Sequence, residues 1–235
     1  MATARTSRVV PAALALLTLI GVLVAVIATD LAGARAAKTL GRTDRTPASA
    51  CPRTPCEAVG KVTGFQLAAD GRRGLFRARQ DGTLVAWAIK LSKPSKEQRD
   101  FFGNFYSSSE FGTKPTARIS VIKKIEGKRY KLKRQSPVVE LVSAFGTRQV
   151  FTLTEPLRIN DGEFLALTIP TWAPSFAINL SGKRNVWRAS RGKNKCTSRN
   201  DIKASKPHQK TGSTRQYGCD YRTARLLYWG YYVPR

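Results

Sequence analysis

The chain predicts an all-β domain of the sandwich or barrel class, and three observations carry that expectation. Short apolar runs recur at intervals of roughly 8 to 12 residues from Ala58 onward. Turn-forming clusters separate them at Glu126-Gly127, Asn160-Asp161-Gly162 and Ser181-Gly182. Only one segment of the domain carries helix-start chemistry: Ser95 and Gln98 have the spacing of a capping box, which predicts one short helix over Ser95 to Phe102 behind Pro94.

The elements follow in chain order. Val9 to Ala28 is a run of twenty residues without a charge, set behind Arg5 and Arg8. As a helix it is about 30 Å long, the thickness of a hydrocarbon core. Ala32-Gly33-Ala34 and Ala34-Arg35-Ala36 both satisfy the small-x-small rule of a signal peptidase. Residues 1–36 therefore read as a signal peptide or a membrane anchor, and both remain open. Either way the following domain is expected outside the cytoplasm, in an oxidising compartment, which removes most cytoplasmic enzyme classes. Residues 37–50 are rich in Ala, Gly, Thr, Pro and Arg, with Leu40 their one large aliphatic side chain, and predict a flexible linker. Residues 51–235 are then expected to form a single β-sandwich domain, about the size one core can serve.

Within that domain, Asp81-Gly82 predicts a tight hairpin between Gly74 to Gln80 and Thr83 to Leu91, because Asp-Gly supplies the positive φ angles such a turn requires. Further strands are predicted over Ala117 to Ile125, Lys128 to Arg134, Val138 to Phe145, Arg148 to Ile159, Glu163 to Ile169, Phe176 to Leu180, Val186 to Ala189 and Ala224 to Val233. The last is apolar on both faces, with Tyr228 and Tyr232 on one and Trp229 and Tyr231 on the other. Such a strand belongs inside a layered structure. Thr197 to Gly218 is polar throughout and predicts a surface loop, with Cys196 and Cys219 at its ends. Four cysteines allow three connectivities; the local pairing, Cys51 with Cys56 and Cys196 with Cys219, is the expected one.

The sequence contains 41 Lys plus Arg against 15 Asp plus Glu. Residues 1–36 hold only Arg5, Arg8, Arg35 and Asp30 of these, so the excess belongs to the exported part. A charge of that size speaks to partners. The polyanions expected outside a cell are wall polymers and acidic polysaccharides; nucleic acid is not the expected partner, and a membrane is met through the N-terminal helix if it is not cleaved. The basic ribbon Arg129, Lys131 and Lys133 shares one face of a predicted strand whose Tyr130 and Leu132 face the other way, and three parallel cations suit a repeating polyanion. A second basic stretch holds Trp187 and Arg188, and Trp172 follows a strand in Thr-Trp-Ala-Pro. Aromatic rings interleaved with cations suit sugar stacking, so Arg129, Lys131, Lys133, Trp172, Trp187 and Arg188 form the predicted binding set.

Catalysis is not predicted. The single histidine, His208, lies in the Lys-rich loop and is expected to be solvated. The runner-up reading is a glycan hydrolase using two of Glu140, Glu155, Asp161 and Glu163, although no spacing singles out a pair. Asn160, Asp161 and Glu163 read as a solvated bend in preference to a calcium site. The cysteine spacing does not fit zinc, and no metal or cofactor is expected. Ala48-Ser49-Ala50 before Cys51 looks like part of a lipobox but lies too far from the apolar run.

The stretches Cys51-Pro-Arg-Thr-Pro-Cys56 through Gln66, Leu167 to Pro174 and Ala224 to Tyr232 resemble a group of uncharacterised exported bacterial proteins, a resemblance that implies export and an intact domain without an activity. Pro156 to Glu163, entering an apolar strand, is similar to the final strands of jelly-roll lectin and carbohydrate-binding domains. That likeness implies a jelly-roll sandwich and glycan binding.

Overall fold

The computed structural model describes residues 36–235. The signal or anchor reading of residues 1–36 lies outside the described residues apart from Ala36. Residues 37–235 form one compact unit, predominantly β.

Two large antiparallel sheets and one two-stranded sheet make up this unit. The smaller of the two large sheets runs in the order β1 (Lys38–Leu40), β15 (Tyr228–Pro234), β4 (Gly82–Lys90), β8 (Arg148–Ile159). The larger runs β12 (Thr214–Gln216), β6 (Arg129–Gln135), β5 (Thr116–Glu126), β9 (Phe164–Ala173), β2 (Val59–Ala69), β11 (Val186–Ala189), β13 (Cys219–Arg222). Short strands β3 (Arg72–Arg73) and β7 (Val139–Glu140) pair with β2 and β5, and β10 (Phe176–Ala177) pairs with β14 (Arg225–Leu226).

Period-two alternation decides which side chains meet between the sheets. Leu84, Trp87 and Ile89 of β4 join Ile119 and Val121 of β5 and Leu165, Leu167 and Ile169 of β9 in one buried cluster. Each such fully buried aliphatic side chain contributes about 1.5–3 kcal/mol. At Gly230 of β15 the sheets approach so closely that a Cβ would lie 2.7 Å from a methyl of Leu165. The Tyr228 hydroxyl donates to the Leu165 carbonyl at 2.9 Å, giving the buried phenol a partner across the core.

The alternate residues of the larger sheet face the other way, where Phe65, Ile122, Tyr130, Leu132 and Ala166 form a second apolar cluster completed by Tyr217. A buried chain of hydroxyls lies on the same face: Thr63 to Thr168 at 2.9 Å and Thr168 to Ser120 at 2.7 Å. The segment between Cys196 and Cys219 covers this face. Both disulfides form as expected, Cys51–Cys56 and Cys196–Cys219, and they match an oxidising, extracytoplasmic environment.

The predicted helix is present as α1 (Lys96–Phe105), with Ser95 and Gln98 making the reciprocal capping bonds. Four expectations are corrected. Residues 37–50 are not a flexible linker: β1 pairs with β15, Leu40 and Thr43 are buried, and the Ala50 N–H donates to the Phe176 carbonyl. The Asp81-Gly82 hairpin does not form, because β4 is held between β8 and β15 while the chain before it pairs elsewhere. Gly82 is small for a different reason, since a Cβ there would lie 2.6 Å from the Val233 carbonyl. Val138 to Phe145 bends after two strand residues into a 3-10 turn at Val142–Ala144. The loop Thr197 to Gly218 contains α2 (Arg199–Ala204) and β12, and its Tyr217 is fully buried.

Candidate functional site: a lysine-lined cleft

The candidate site begins with an irregularity in β2. The β2–β9 register shifts between Gly60 and Val62, and Lys61 takes a left-handed φ of 48° at that point. Left-handed backbone is uncommon for a residue with a side chain and is sustained only by its surroundings. The Lys61 carbonyl accepts from the Ser205 hydroxyl at 2.9 Å, and its Nζ donates to the Ser107 carbonyl at 3.3 Å. Gly60 is compulsory beside it: a Cβ there would run into the Tyr106 ring and lie 2.5 Å from the Thr171 carbonyl.

The bulge delivers Lys61 to a cleft of about 660 Å³. Lys206, Lys210 and Arg215 from the disulfide-closed segment line it with His208, and Glu110 is the one carboxylate in the lining. Among the described residues none of Lys61, Lys206, Lys210 and Arg215 makes an ion pair. Partial burial, with Lys206 and Lys203 as like-charged neighbours, lowers the Lys61 pKa from its ordinary value. Arg215 is positioned by β12, which pairs with β6, and donates to the Pro207 carbonyl at 2.8 Å and to that of Lys206.

His208 anchors the segment and is 2% exposed, so the expectation of a solvated ring is corrected. Its N–H donates to Thr63 Oγ1 at 3.0 Å, joining the hydroxyl chain of the sheet. Its Nδ1 lies 3.2 Å from the Tyr217 hydroxyl, and its Nε2 lies 3.0 Å from Ser213 Oγ. The buried Tyr217 hydroxyl needs an acceptor, and Nδ1 is its hydrogen-bond partner among the described residues. The ring proton therefore sits on Nε2 and points at Ser213. In this tautomer the imidazole offers Ser213 a proton and does not take one, while Ser213 Oγ itself donates to the Lys210 carbonyl. Burial and the nearby Arg215 cation lower the His208 pKa to about 4, which keeps the ring neutral. Burial raises the Tyr217 phenol well above its ordinary value.

A smaller cleft adjoins across Lys206 and Arg215 and is floored by Arg191, 6% exposed. That guanidinium donates to the Gly60 carbonyl at 2.9 Å and to the Tyr221 hydroxyl at 2.8 Å, tying the bulge to β13.

The predicted binding set is not brought together. Arg129, Lys131 and Lys133 do share a face of β6, because Tyr130 and Leu132 are buried on the other. Arg129 is occupied by Glu126 at 2.6 Å, while Lys131 stands directly opposite Lys123 of β5. Trp172 is 2% exposed; it packs against Phe102 and Phe145 and donates from Nε1 to the Thr113 carbonyl. Trp187 is 2% exposed and stacks on Tyr221. Neither indole is available to a sugar, because each fills the gap between layers. Arg188 grips Asp220 through two bonds of 2.7 and 2.9 Å. Burial works against both charges and the bonds outweigh it, so the Asp220 carboxyl is held below its ordinary range.

Two of the candidate hydrolase acids, Glu140 and Glu163, have separate partners. Glu140 pairs with Lys114 at 2.8 Å, and Glu163, 1% exposed, accepts the Asn160 N–H at 2.9 Å to close its own turn. The Asp161 N–H donates to Asp81. Among the described residues, no cluster of three or more His, Cys, Asp or Glu has the arrangement of a metal site. The sequence reading singles out neither Lys61 nor Arg215, and it names His208 only as a solvated ring. Gly60-Lys61 inside an apolar strand was the available signal, since a glycine within a strand marks a bulge.

Comparison of the chain with protein-family models, with curated proteins and with solved structures finds no match.

Proposed function

We propose that residues 37–235 form a non-enzymatic binding module for an anionic polymer or polysaccharide outside the cytoplasm, delivered by the N-terminal apolar segment as a secreted or membrane-anchored protein. The observation that carries this reading is the convergence of Lys61, Lys206, Lys210 and Arg215 on one cleft in which Glu110 is the sole acid. Concentrating unpaired cations works against folding through mutual repulsion, and a polyanion relieves it. The strand order supports a jelly roll as the scaffold. Taking β1, β2, β4 and β5 against β15, β9, β8 and β6, each early strand pairs with its mirror-placed late strand, as in a long hairpin rolled around a core.

The test uses polygalacturonate and neutral dextran as immobilised probes for the full chain. Binding to polygalacturonate that weakens steeply with salt, and falls further in Lys61→Gln/Lys206→Gln/Lys210→Gln, supports the reading. Retention that ignores ionic strength, equal retention on dextran, or an unaffected triple variant overturns it.

A further inference from the structure

We infer that a second cleft, sharing no lining residue with the first, binds the phosphate groups of a linear phosphate-bearing polymer. It has a volume of about 680 Å³ and is lined by Lys38, Arg72, Arg73, Arg77 and Arg79, with Tyr232 in its wall and no carboxylate in its lining. The nearest acid partner is Asp44, 3.7 Å from Arg72 and itself almost fully exposed. Among the described residues, Lys38, Arg73, Arg77 and Arg79 make no ion pair.

The backbone holds these guanidinium groups in place. Asp70 and Gly71 both take positive φ, 51° and 81°, the conformation of a type I′ turn, which folds β3 back on β2 and presents Arg72 and Arg73. The chain then turns at Gly74, whose carbonyl accepts the Arg77 N–H at 3.1 Å, and beyond the turn Phe76 and Ala78 are buried at 2% and 0% while Arg77 and Arg79 are left exposed. Hydrogen bonds fix that alternation from both sides: Gly41 N–H to the Leu75 carbonyl, Leu165 N–H to that of Phe76, and Ala78 N–H to that of Glu163. The four arginines are therefore carried on a braced backbone, although the segment is no regular strand.

The chemistry of the lining selects the ligand. Guanidinium is planar, stays charged and matches two oxygens of a phosphate at once, whereas an ammonium acts as a point charge. The first cleft draws three of its four cations from lysine, and this one draws four of five from arginine. A cleft suits a chain that enters it; a lipid headgroup surface would ask for cations on a protruding face.

Titrating the full chain with tripolyphosphate, followed by calorimetry, tests this. Arg77→Gln/Arg79→Gln is expected to weaken binding at least about tenfold, as loss of charge-assisted bonds implies. Arg77→Lys/Arg79→Lys is expected to weaken it measurably despite conserving charge, and Lys206→Gln/Lys210→Gln is expected to leave this site's affinity intact. Both arginines are exposed, so the variants fold. Unchanged affinity in the glutamine variant, or full affinity in the lysine variant, overturns the inference. Arginine-dependent binding to phosphatidylglycerol vesicles with none to tripolyphosphate also overturns it, in favour of a lipid surface. Because the two clefts share no residue, failure here leaves the polygalacturonate result standing, and the reverse holds.

Discussion

The Nδ1 atom of His208 and the hydroxyl of Tyr217, 3.2 Å apart, form a buried joint within the disulfide-closed segment, which the His208 backbone N–H fastens to the larger sheet at Thr63. The joint works with a neutral ring. Protonation at Nδ1 would replace the acceptor of the Tyr217 hydroxyl with a donor and place a charge beside Arg215.

Stability is expected to fall in acid through this one group. The His208 pKa is lowered from 6.5 to about 4, so between those values the unfolded chain binds a proton that the folded chain refuses. Its contribution is complete above pH 6.5 and is lost as pH drops toward 4, about 3 kcal/mol in all. Urea unfolding across that range should show this loss in the native protein and a smaller one in His208→Gln. Parallel pH profiles for the two proteins would contradict the assignment.

Removal of the Cys196–Cys219 bridge acts on the same segment. The cysteines are 23 residues apart, and opening a loop of that size costs roughly 3 kcal/mol in the chain-entropy model. Cys196→Ala/Cys219→Ala should therefore unfold at lower denaturant concentration and be cut by protease first between residues 197 and 218.

Gly60→Ala is expected to lower stability by at least about 2 kcal/mol, because the Thr171 carbonyl and the Tyr106 ring cannot both retreat. As it displaces the bulge that aims Lys61, polygalacturonate binding should fall in the fraction that remains folded. A variant with native stability would show that β2 shifts freely there.

Arg188→Ala should reduce stability by about 2 kcal/mol without changing polymer binding, since its guanidinium is committed to Asp220. Weakened binding at native stability would return Arg188 to the site.

Much of this architecture is legible in the sequence where neighbours in the chain decide the outcome. Arg148–Ile159 and Val186–Ala189 are the strands their periodicity predicts, and Ser95 with Gln98 caps α1 as their spacing requires. Legibility fails where partners are far apart in sequence. Asp81-Gly82 has the local chemistry of a hairpin, but β4 finds its neighbours in β8 and β15, more than fifty residues away. His208 looks solvated among lysines because Thr63, which holds it, lies 145 residues earlier. Trp172 and Trp187 are covered by Phe102, Phe145 and Tyr221, none of them a near neighbour in the sequence. Two arginines of the second cleft, Arg77 and Arg79, could have been read from the sequence, where they alternate with Phe76 and Ala78.

The three residues of β1 have a practical consequence. They occupy the outer hydrogen-bonding edge of β15, a strand of four aromatic residues. A fragment begun at Cys51 would bare that edge and invite another copy to pair along it. Recombinant material trimmed there should self-associate in proportion to concentration, whereas material starting at Ala37 keeps its own guard strand.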